Sequence, residues 1–256
     1  NNRLEFDIRR GDNRDKASLD LVLKTQTLKV DVTSDISDKL EYTTGVSAGY
    51  QTNYANPQTG VRRLIPDYSK YSLGGFITGN YTFNRHWLME VGFRIDHTFM
   101  NVYKFYRRSF WEERGYDTQF SDLVVEQVGN QVLTNPKLNF TNPSFTLGVK
   151  HAFGIYRLFA NYSIASRAPN PSELFSEGLH HSASRIELGD LQFGLETAHK
   201  VSLTLQRKAE NFEFTMMPYS NFIDNYILIE PTKIRQTIRG NFQVWEYRQT
   251  QAQIFG

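Results

Sequence analysis

The segment from Tyr68 to Tyr106 places the strongest constraint on the fold of this chain. It holds two long stretches in which apolar side chains occupy nearly every second position, joined only by Asn84-Arg85. A period of two puts such side chains on one face of a β-strand. Each stretch has about fifteen residues, roughly three times the length of an ordinary strand. Strands of that length, apolar on one face and polar on the other, are typical of transmembrane β-barrels. The residues predicted to face lipid include Leu73, Ile77, Tyr81, Val91, Phe93 and, from an earlier segment, Val46.

The composition excludes several classes of protein. Hydrophobic residues make up 39% of the 256 positions, the mean hydropathy is −0.50, and no apolar run approaches the roughly eighteen residues of a membrane helix. A barrel stays compatible, because only alternate residues of its strands need to be apolar. The absence of cysteine excludes disulfides and zinc fingers, and a net charge of +2 gives no indication of nucleic-acid binding. The first residues lack a signal peptide, so we expect a processed or cut chain.

The hairpin pattern repeats along the chain and predicts about ten antiparallel strands. Such barrels have short turns on the periplasmic side and long loops outside the cell. Residues 106–142 and 167–192 are therefore predicted to lie outside, and Phe83 and Trp87 at the periplasmic interface, which favours aromatic rings. Pro218 cannot donate to a ladder, so a bulge is expected there. Short connections are predicted near residues 34, 84, 154 and 210 and at the sequence GDNRD, and long ones near 60, 120, 180 and 233.

A stretch in the second half of the chain carries a family resemblance. The segment from Tyr162 to Gln206 resembles the characteristic region of TonB-dependent outer-membrane receptors, and the sequences SNFIDNYILIEP and YRQTQAQIFG further along also fit. The resemblance implies an all-β fold of long antiparallel up-and-down transmembrane strands, a section of a barrel of roughly twenty-two strands. Residues 1–256 are then part of the receptor barrel domain, without its plug and without its closing C-terminal strand. The matching residues are Arg167, Pro169, Glu173, Leu174, Phe175, Gly178, His180, Glu187, Gly189, Asp190 and Glu196.

The resemblance also implies a function. It indicates a protein of the outer membrane of a Gram-negative bacterium that takes up a scarce nutrient with energy from the TonB complex, contacted through the missing plug. The first expectation for the cargo is a metal ion or metal chelate, such as an iron siderophore, zinc or haem, with no resident cofactor. Its partners are then outer-membrane lipid, the TonB complex and the ligand. Uptake of an oligosaccharide or cobalamin, and a passive porin-like channel, stay open. No spacing of Ser, His and acidic residues selects a catalytic triad, so an enzyme is not predicted.

One long loop contains residues suited to a metal ion. His180 and His181 are followed by Glu187 and Asp190, and imidazole nitrogen with carboxylate oxygen suits Zn²⁺ or another late first-row ion. The alternative is a structural loop whose histidines hydrogen-bond to the protein or to water, because a His-His pair is a weak metal signal.

The other long loop contains a group of arginines. Arg107, Arg108 and Arg114 would attract an anionic ferric chelate by charge. Nearby acidic residues nearly cancel that charge, so a solvated loop of mixed charge is the alternative interpretation.

Overall fold

A computed structural model describes residues 2–5, 17, 19–56, 63–237 and 240–256, apart from the side chains at positions 2–5, 19 and 181. The described residues form a sheet of long strands, with short helices in the connections at one end. The helices are α1 (Arg108–Glu113), α2 (Tyr116–Gln119) and α3 (Pro171–Phe175), with single 3-10 turns at Ser121–Leu123 and His181–Ala183. The strands are β1 (Asn2–Glu5), β2 (Leu19–Ser37), β3 (Leu40–Ala55), β4 (Asp67–Asn84), β5 (Trp87–Arg107), β6 (Val124–Val128), β7 (Gln131–Thr134), β8 (Lys137–Phe153), β9 (Tyr156–Arg167), β10 (Glu177–His180), β11 (Arg185–Leu188), β12 (Glu196–Ala209), β13 (Phe212–Met216), β14 (Tyr219–Thr237) and β15 (Asn241–Phe255).

The long strands are connected up and down. Their order across the sheet is β1-β2-β3-β4-β5-β8-β9-β12-β14-β15, and each pairs antiparallel with its neighbours. The hairpin β10–β11 continues the sheet beyond β15, where β11 lies parallel to β15. β6 and β7 form a second hairpin on the far end of β5. This topology confirms the predicted fold of long antiparallel up-and-down barrel strands, here as an open sheet.

The two faces of the sheet differ as the alternation predicts. One face, called the apolar face, carries exposed side chains that the register brings side by side, as in the pair Ile77 and Phe93. The polar face carries ion pairs, among them Lys29 with Asp31 at 3.1 Å and the Arg94 Nε atom with the Asp96 Oδ2 atom at 2.6 Å. The residues predicted to face lipid all lie on the apolar face.

The tight turn between β4 and β5 is formed differently from the prediction. β4 extends through Asn84, so the two turn residues are Arg85 and His86. Asn84 does not adopt the expected positive φ, which among described non-glycine residues occurs at Ser184 and Asn225. Instead the Asn84 Oδ1 atom accepts hydrogen bonds from the backbone N–H groups of His86 (2.8 Å) and Trp87 (3.1 Å). The asparagine stabilises the turn through its side chain.

Several predicted boundaries are wrong. The turn expected near residue 34 lies at 38–39, and the loop expected near 233 belongs to β14, which ends at Thr237. The first long loop ends before β8 rather than at Pro143, which lies within that strand. β8 pairs with β9 only from Ser144 onward, so Pro143 lies where one edge of the strand is unpaired and proline is tolerated. The sequence GDNRD, the strand residues just before it and residues 57–62 lie outside the described part of the chain.

The bulge expected at Pro218 is absent. The pairs Leu205–Met216 and Ser202–Tyr219 share one register, so the break between β13 and β14 inserts no residue. Two irregularities occur further along β14, between Ile223 and Tyr226 and between Pro231 and Arg235, and Asn225 within the first has a φ of 55°.

Candidate ligand-recognition cap

The main hydrophobic core of the described chain lies at the loop end of the sheet. Two long connections meet there: residues 108–136, called the first loop, and residues 168–195, called the signature loop. Together they form a cap over the polar-face side of β5. The buried core consists of Met100, Val102, Tyr106, Phe110, Trp111, Tyr116, Val132, Leu174, Phe175, Ile186, Leu188, Leu191, Phe193, Ile227 and Val244.

Aromatic rings organise the first loop. Trp111 and Tyr116 lie edge to face with their ring centres 5.2 Å apart, and Tyr106 packs against Trp111 at 5.1 Å. Phe120 extends the cluster with an edge contact to Tyr116 at 5.3 Å. Such aromatic pairs add stabilisation beyond the area that they bury. The first loop is therefore a packed unit.

A three-residue ion network joins the two ends of the signature loop. Arg167, the last residue of β9, makes two hydrogen bonds of 2.9 Å to Glu196, the first residue of β12. The same guanidinium binds Glu173 in α3 at 3.0 and 3.2 Å. Bidentate pairing suits the planar fork of arginine. Glu196 also accepts the Ile227 backbone N–H group at 2.8 Å, which ties the network to β14.

Local geometry accounts for four further signature residues, Glu173, Leu174, Phe175 and Gly189. Asn170 and Glu173 form a capping box at the start of α3, and the Glu173 carboxylate accepts the Asn170 backbone N–H group at 2.7 Å. The next two helical residues, Leu174 and Phe175, are buried in the cap core. At Gly189 a Cβ atom would lie 2.6 Å from the Glu173 carbonyl oxygen and 2.8 Å from the Leu174 carbonyl carbon. Only glycine permits this approach of the chain to α3.

A buried ion pair lies beneath the signature loop. Lys104, on the polar-face side of β5, donates to the Phe175 carbonyl, and its Nζ atom lies 3.7 Å from the Glu177 Oε2 atom. Glu177 is fully buried, and Arg107 approaches its other oxygen at 3.5 Å. Buried charges require such pairing, because desolvation of an isolated charge is costly.

Asp190 connects the two loops. Its Oδ1 atom accepts a hydrogen bond from the Tyr116 hydroxyl at 2.6 Å, and its Oδ2 atom lies 3.5 Å from Arg114. The Tyr116 hydroxyl in turn accepts the Leu191 backbone N–H group at 3.1 Å. Arg114 also reaches Glu246 of β15 at 3.3 Å. The pKa of Tyr116 is raised, first by burial and then by the hydrogen bond to Asp190.

The predicted metal residues separate into two groups. His180 and Glu187 meet across the β10–β11 hairpin, with 2.7 Å between the His180 Nδ1 atom and the Glu187 Oε1 atom. Arg185 donates to the same oxygen at 2.7 Å, whereas Asp190 binds Tyr116 and Arg114. Among the described side chains, which do not include that of His181, no group of three or more acidic or histidine residues is arranged to hold a metal ion. The metal site stays a prediction.

The three predicted arginines have different surroundings. Arg107 and Arg114 bind carboxylates of the signature loop. Arg108 donates to Gln127 at 2.9 Å and lines a crevice of about 280 Å³ in the first loop. Its Nε atom is buried without a hydrogen-bond partner in the described part of the chain. The crevice is also lined by Trp111, Glu112, Asp117, Ser121, Val124, Gln127 and Val132.

Sequence reasoning missed Lys104, Tyr116 and Glu246, and it missed the buried ion pair of Glu177. Lys104 could have been found from the sequence, because between Phe99 and Tyr106 both the odd and the even positions of β5 carry large side chains. This pattern indicates a strand covered on both faces, and it places Lys104 on the covered side. The partners of Tyr116, Glu177 and Glu246 lie too far away in sequence to produce a local pattern.

Comparisons with known proteins agree with this architecture. A family model described as TonB dependent receptor-like, beta-barrel, matches residues 2–255. No curated protein sequence matches the chain. The hemophore receptor HasR of Serratia marcescens, solved as a double mutant with its hemophore HasA and heme, is similar with a TM-score of 0.65 and 13% identity, over 94% of this chain and 40% of that one.

Two further solved structures are similar in fold. The copper transporter OprC has a TM-score of 0.67 and 16% identity, over 93% of this chain and 34% of its own. The ferric-catecholate import receptor Fiu of E. coli K12 has a TM-score of 0.55 and 15% identity, over 93% and 35%. The chain thus spans less than half the length of each of these proteins. With its strand order, its signature loop and the match over residues 2–255, the chain belongs to the TonB-dependent receptor family, in the β-barrel part.

Proposed function

We propose that this chain is part of an outer-membrane receptor that takes up a scarce metal ion or metal chelate. The family match along the strands carries the proposal. In it the apolar face contacts lipid, the polar face borders the lumen, and the cap lies outside the cell. The TonB complex supplies the energy through a plug domain elsewhere in the longer protein. The receptor has neither nucleic-acid partner nor enzymatic activity.

The names of the similar structures favour a metal-containing cargo. They refer to heme, copper and a ferric catecholate. The competing functions are uptake of an oligosaccharide, uptake of cobalamin, and passive diffusion through a porin-like channel.

The crevice beside Arg108 is the part of the cap best suited to contact a ligand. Arg107 and Arg114 are occupied by carboxylates, whereas the buried Arg108 Nε donor lies without a partner in the described chain. A buried donor without an acceptor is costly, and a ligand oxygen would satisfy it. Glu112 and Asp117, which also line the crevice, would accept hydrogen bonds from hydroxyl or amide groups of a chelate.

Uptake by cells that produce the full-length receptor tests the proposal. Cells that lack their other receptors are supplied with radiolabelled ferric catecholate, haem, copper or zinc, with and without a functional TonB complex. We expect TonB-dependent uptake of one of these cargoes, reduced at least tenfold by Arg108→Gln and unchanged by Arg85→Gln in the turn at the other end. Equal flux of all small solutes without TonB would contradict the proposal and favour a porin.

Zinc and haem titrations test the predicted metal residues of the signature loop. Replacing His180 and His181 by alanine removes both imidazole ligands, so the affinity of a true site falls at least tenfold, about 1.4 kcal/mol. His199→Ala, on β12, is the matched control. Unchanged affinity in the double variant would leave the loop as a structural element.

Labelling of intact cells tests the orientation. A cysteine introduced at Ser182 in the signature loop should react with an impermeant reagent, whereas one at Asn84 should not. The opposite result would invert the orientation.

A further inference from the structure

The apolar face is interrupted by a groove across β2, β3, β4, β5 and β8. Its volume is about 540 Å³, and a second groove of about 380 Å³ adjoins it. Three residues, Leu28, Ala48 and Leu73, line both grooves. The larger groove is lined by Leu28, Val46, Ser47, Ala48, Leu73, Gly74, Gly75, Ile95, His97 and Thr141.

Small residues within a row of large ones create the groove. Gly75 lies between Val46 and Ile95 in the register, and Ala48 lies between Leu28 and Leu73. At Gly75 an added Cβ atom would meet only the Gly45 carbonyl oxygen, at 4.0 Å. The space over Gly75 is therefore open to whatever surrounds the face.

One end of the groove is polar and aromatic. His97 lies on the apolar face opposite Thr141, and its Nδ1 atom is 3.1 Å from the Thr141 hydroxyl. The rings of Tyr50 and Tyr71 lie beside the adjoining groove with their centres 4.7 Å apart. Lipids have the same division into an apolar chain and a polar head.

The position of His97 suits a bilayer boundary. Ten residues separate it from Trp87 at the turn, which at a rise of about 3.3 Å and a tilt of about 40° is roughly 25 Å along the bilayer normal. This is about the height of the apolar band of an outer-membrane barrel. The groove therefore lies in the outer-leaflet half, directly below the boundary.

We propose that this groove holds one acyl chain of an outer-leaflet lipid, with the lipid head group beside His97. The proposal rests on the membrane placement proposed above. A protein partner is disfavoured because the face lies within the bilayer in that placement. Apart from Ser47, whose hydroxyl binds Arg94 on the polar face, the lining is apolar except at the His97 end, where the Nε2 atom of the ring can donate to a head-group oxygen.

Two glycines provide a matched test. Gly79 lies on the same face of β4 four residues further along, where an added Cβ atom likewise meets only a carbonyl oxygen at 4.0 Å, that of Glu41. Gly75→Leu fills the groove, whereas Gly79→Leu adds the same bulk outside it. Ala48→Leu fills the groove from β3 and repeats the test from another strand.

The experiment is native mass spectrometry of the full-length receptor after detergent exchange, with diphosphoryl lipid A as the added lipid. We expect one retained lipid on the wild type and on Gly79→Leu, and at least a fivefold loss on Gly75→Leu and Ala48→Leu. Equal retention by all four proteins would overturn the proposal, as would a wild type that retains none.

Uptake and membrane insertion are measured on the same four proteins. A receptor that inserts and transports its cargo but shows no difference between the glycine variants contradicts the lipid groove alone. The opposite outcome is also possible. If the receptor inserts, retains lipid only when the groove is open and transports no metal or chelate, the lipid groove is supported and the proposed cargo is contradicted.

Discussion

β5 is covered by different partners at its two ends. From Trp87 to Phe99 the large apolar side chains other than Leu88 lie on odd positions, and Phe93 and Ile95 among them are open to the surroundings. From Met100 to Tyr106 the side chains at even positions are buried by the cap, whereas that of Tyr103, at an odd position, is 55% exposed. Exposed large side chains lie on odd positions in both parts of the strand, and what changes is the even side, which the cap buries only at the loop end. What covers each face therefore decides which side chains are buried. In the proposed placement lipid covers the odd side of β5, and the two loops cover the even side at the loop end.

The largest expected effect concerns the cap interior. Phe175→Ala removes a fully buried ring and should cost about 3–5 kcal/mol in the free energy of cap opening, measured by hydrogen exchange in the signature loop. Phe105→Ala is the control, because that side chain is 47% exposed on the opposite face of β5. Equal losses in the two variants would show that the cap has no interior of its own.

The next effect concerns the apolar face of the sheet. Val91→Arg should cost about 2–4 kcal/mol near the middle of a bilayer, measured by folding into lipid vesicles. Ser47→Arg is an unsuitable control, since the Ser47 hydroxyl accepts a hydrogen bond from Arg94. Asn80→Arg is better, because Asn80 lies on the polar face and already donates to Glu41. If both arginines are tolerated, the apolar face does not contact lipid.

A smaller effect is expected where the signature loop approaches α3. Gly189→Ala forces a Cβ atom against backbone and should cost about 1–3 kcal/mol of cap stability. Gly194→Ala, in the same loop, meets nothing within 4 Å and should be neutral. Limited proteolysis of the loop distinguishes them, and equal cleavage rates would contradict the close approach.

The smallest effect is a dependence on alkaline pH. The pKa of Tyr116 lies above its ordinary value of 10.0, chiefly because the hydroxyl is buried. In the open cap it returns to that value, so the stabilisation is complete below about pH 10 and is lost as the pH rises further. Hydrogen exchange in the cap should therefore accelerate above pH 10 in the wild type and less so in Tyr116→Phe. The same acceleration in both proteins would assign the titration to another group.

The sequence predicted the sheet well because its signals are local. Alternation and short turns depend on neighbouring residues. The positions that share a face, the strand lengths of β4 and β5 and the up-and-down order could therefore all be inferred. The turn at Asn84 shows the limit even there, because a side-chain hydrogen bond replaced the expected backbone conformation.

The cap could not be predicted in the same way. Arg114 and Glu246 are 132 positions apart, and Tyr116 and Asp190 are 74. No periodicity links such residues, so neither a ligand site nor a solvated loop predicts that Arg107 and Arg114 bind protein carboxylates. The resemblance gives no physical reason for Gly189 or Glu196, which the contacts with α3 and β14 supply.

The parallel pairing of β11 with β15 has a consequence for the order of folding. It joins Ile186 to Val244, 58 positions later in the chain, and the strands that bring these residues together are β12, β14 and β15. Contacts of long sequence separation form late, because the entropy of closing the chain must be overcome first. The hairpin β10–β11 can therefore dock in its final position only after the strands that follow it in the chain have assembled.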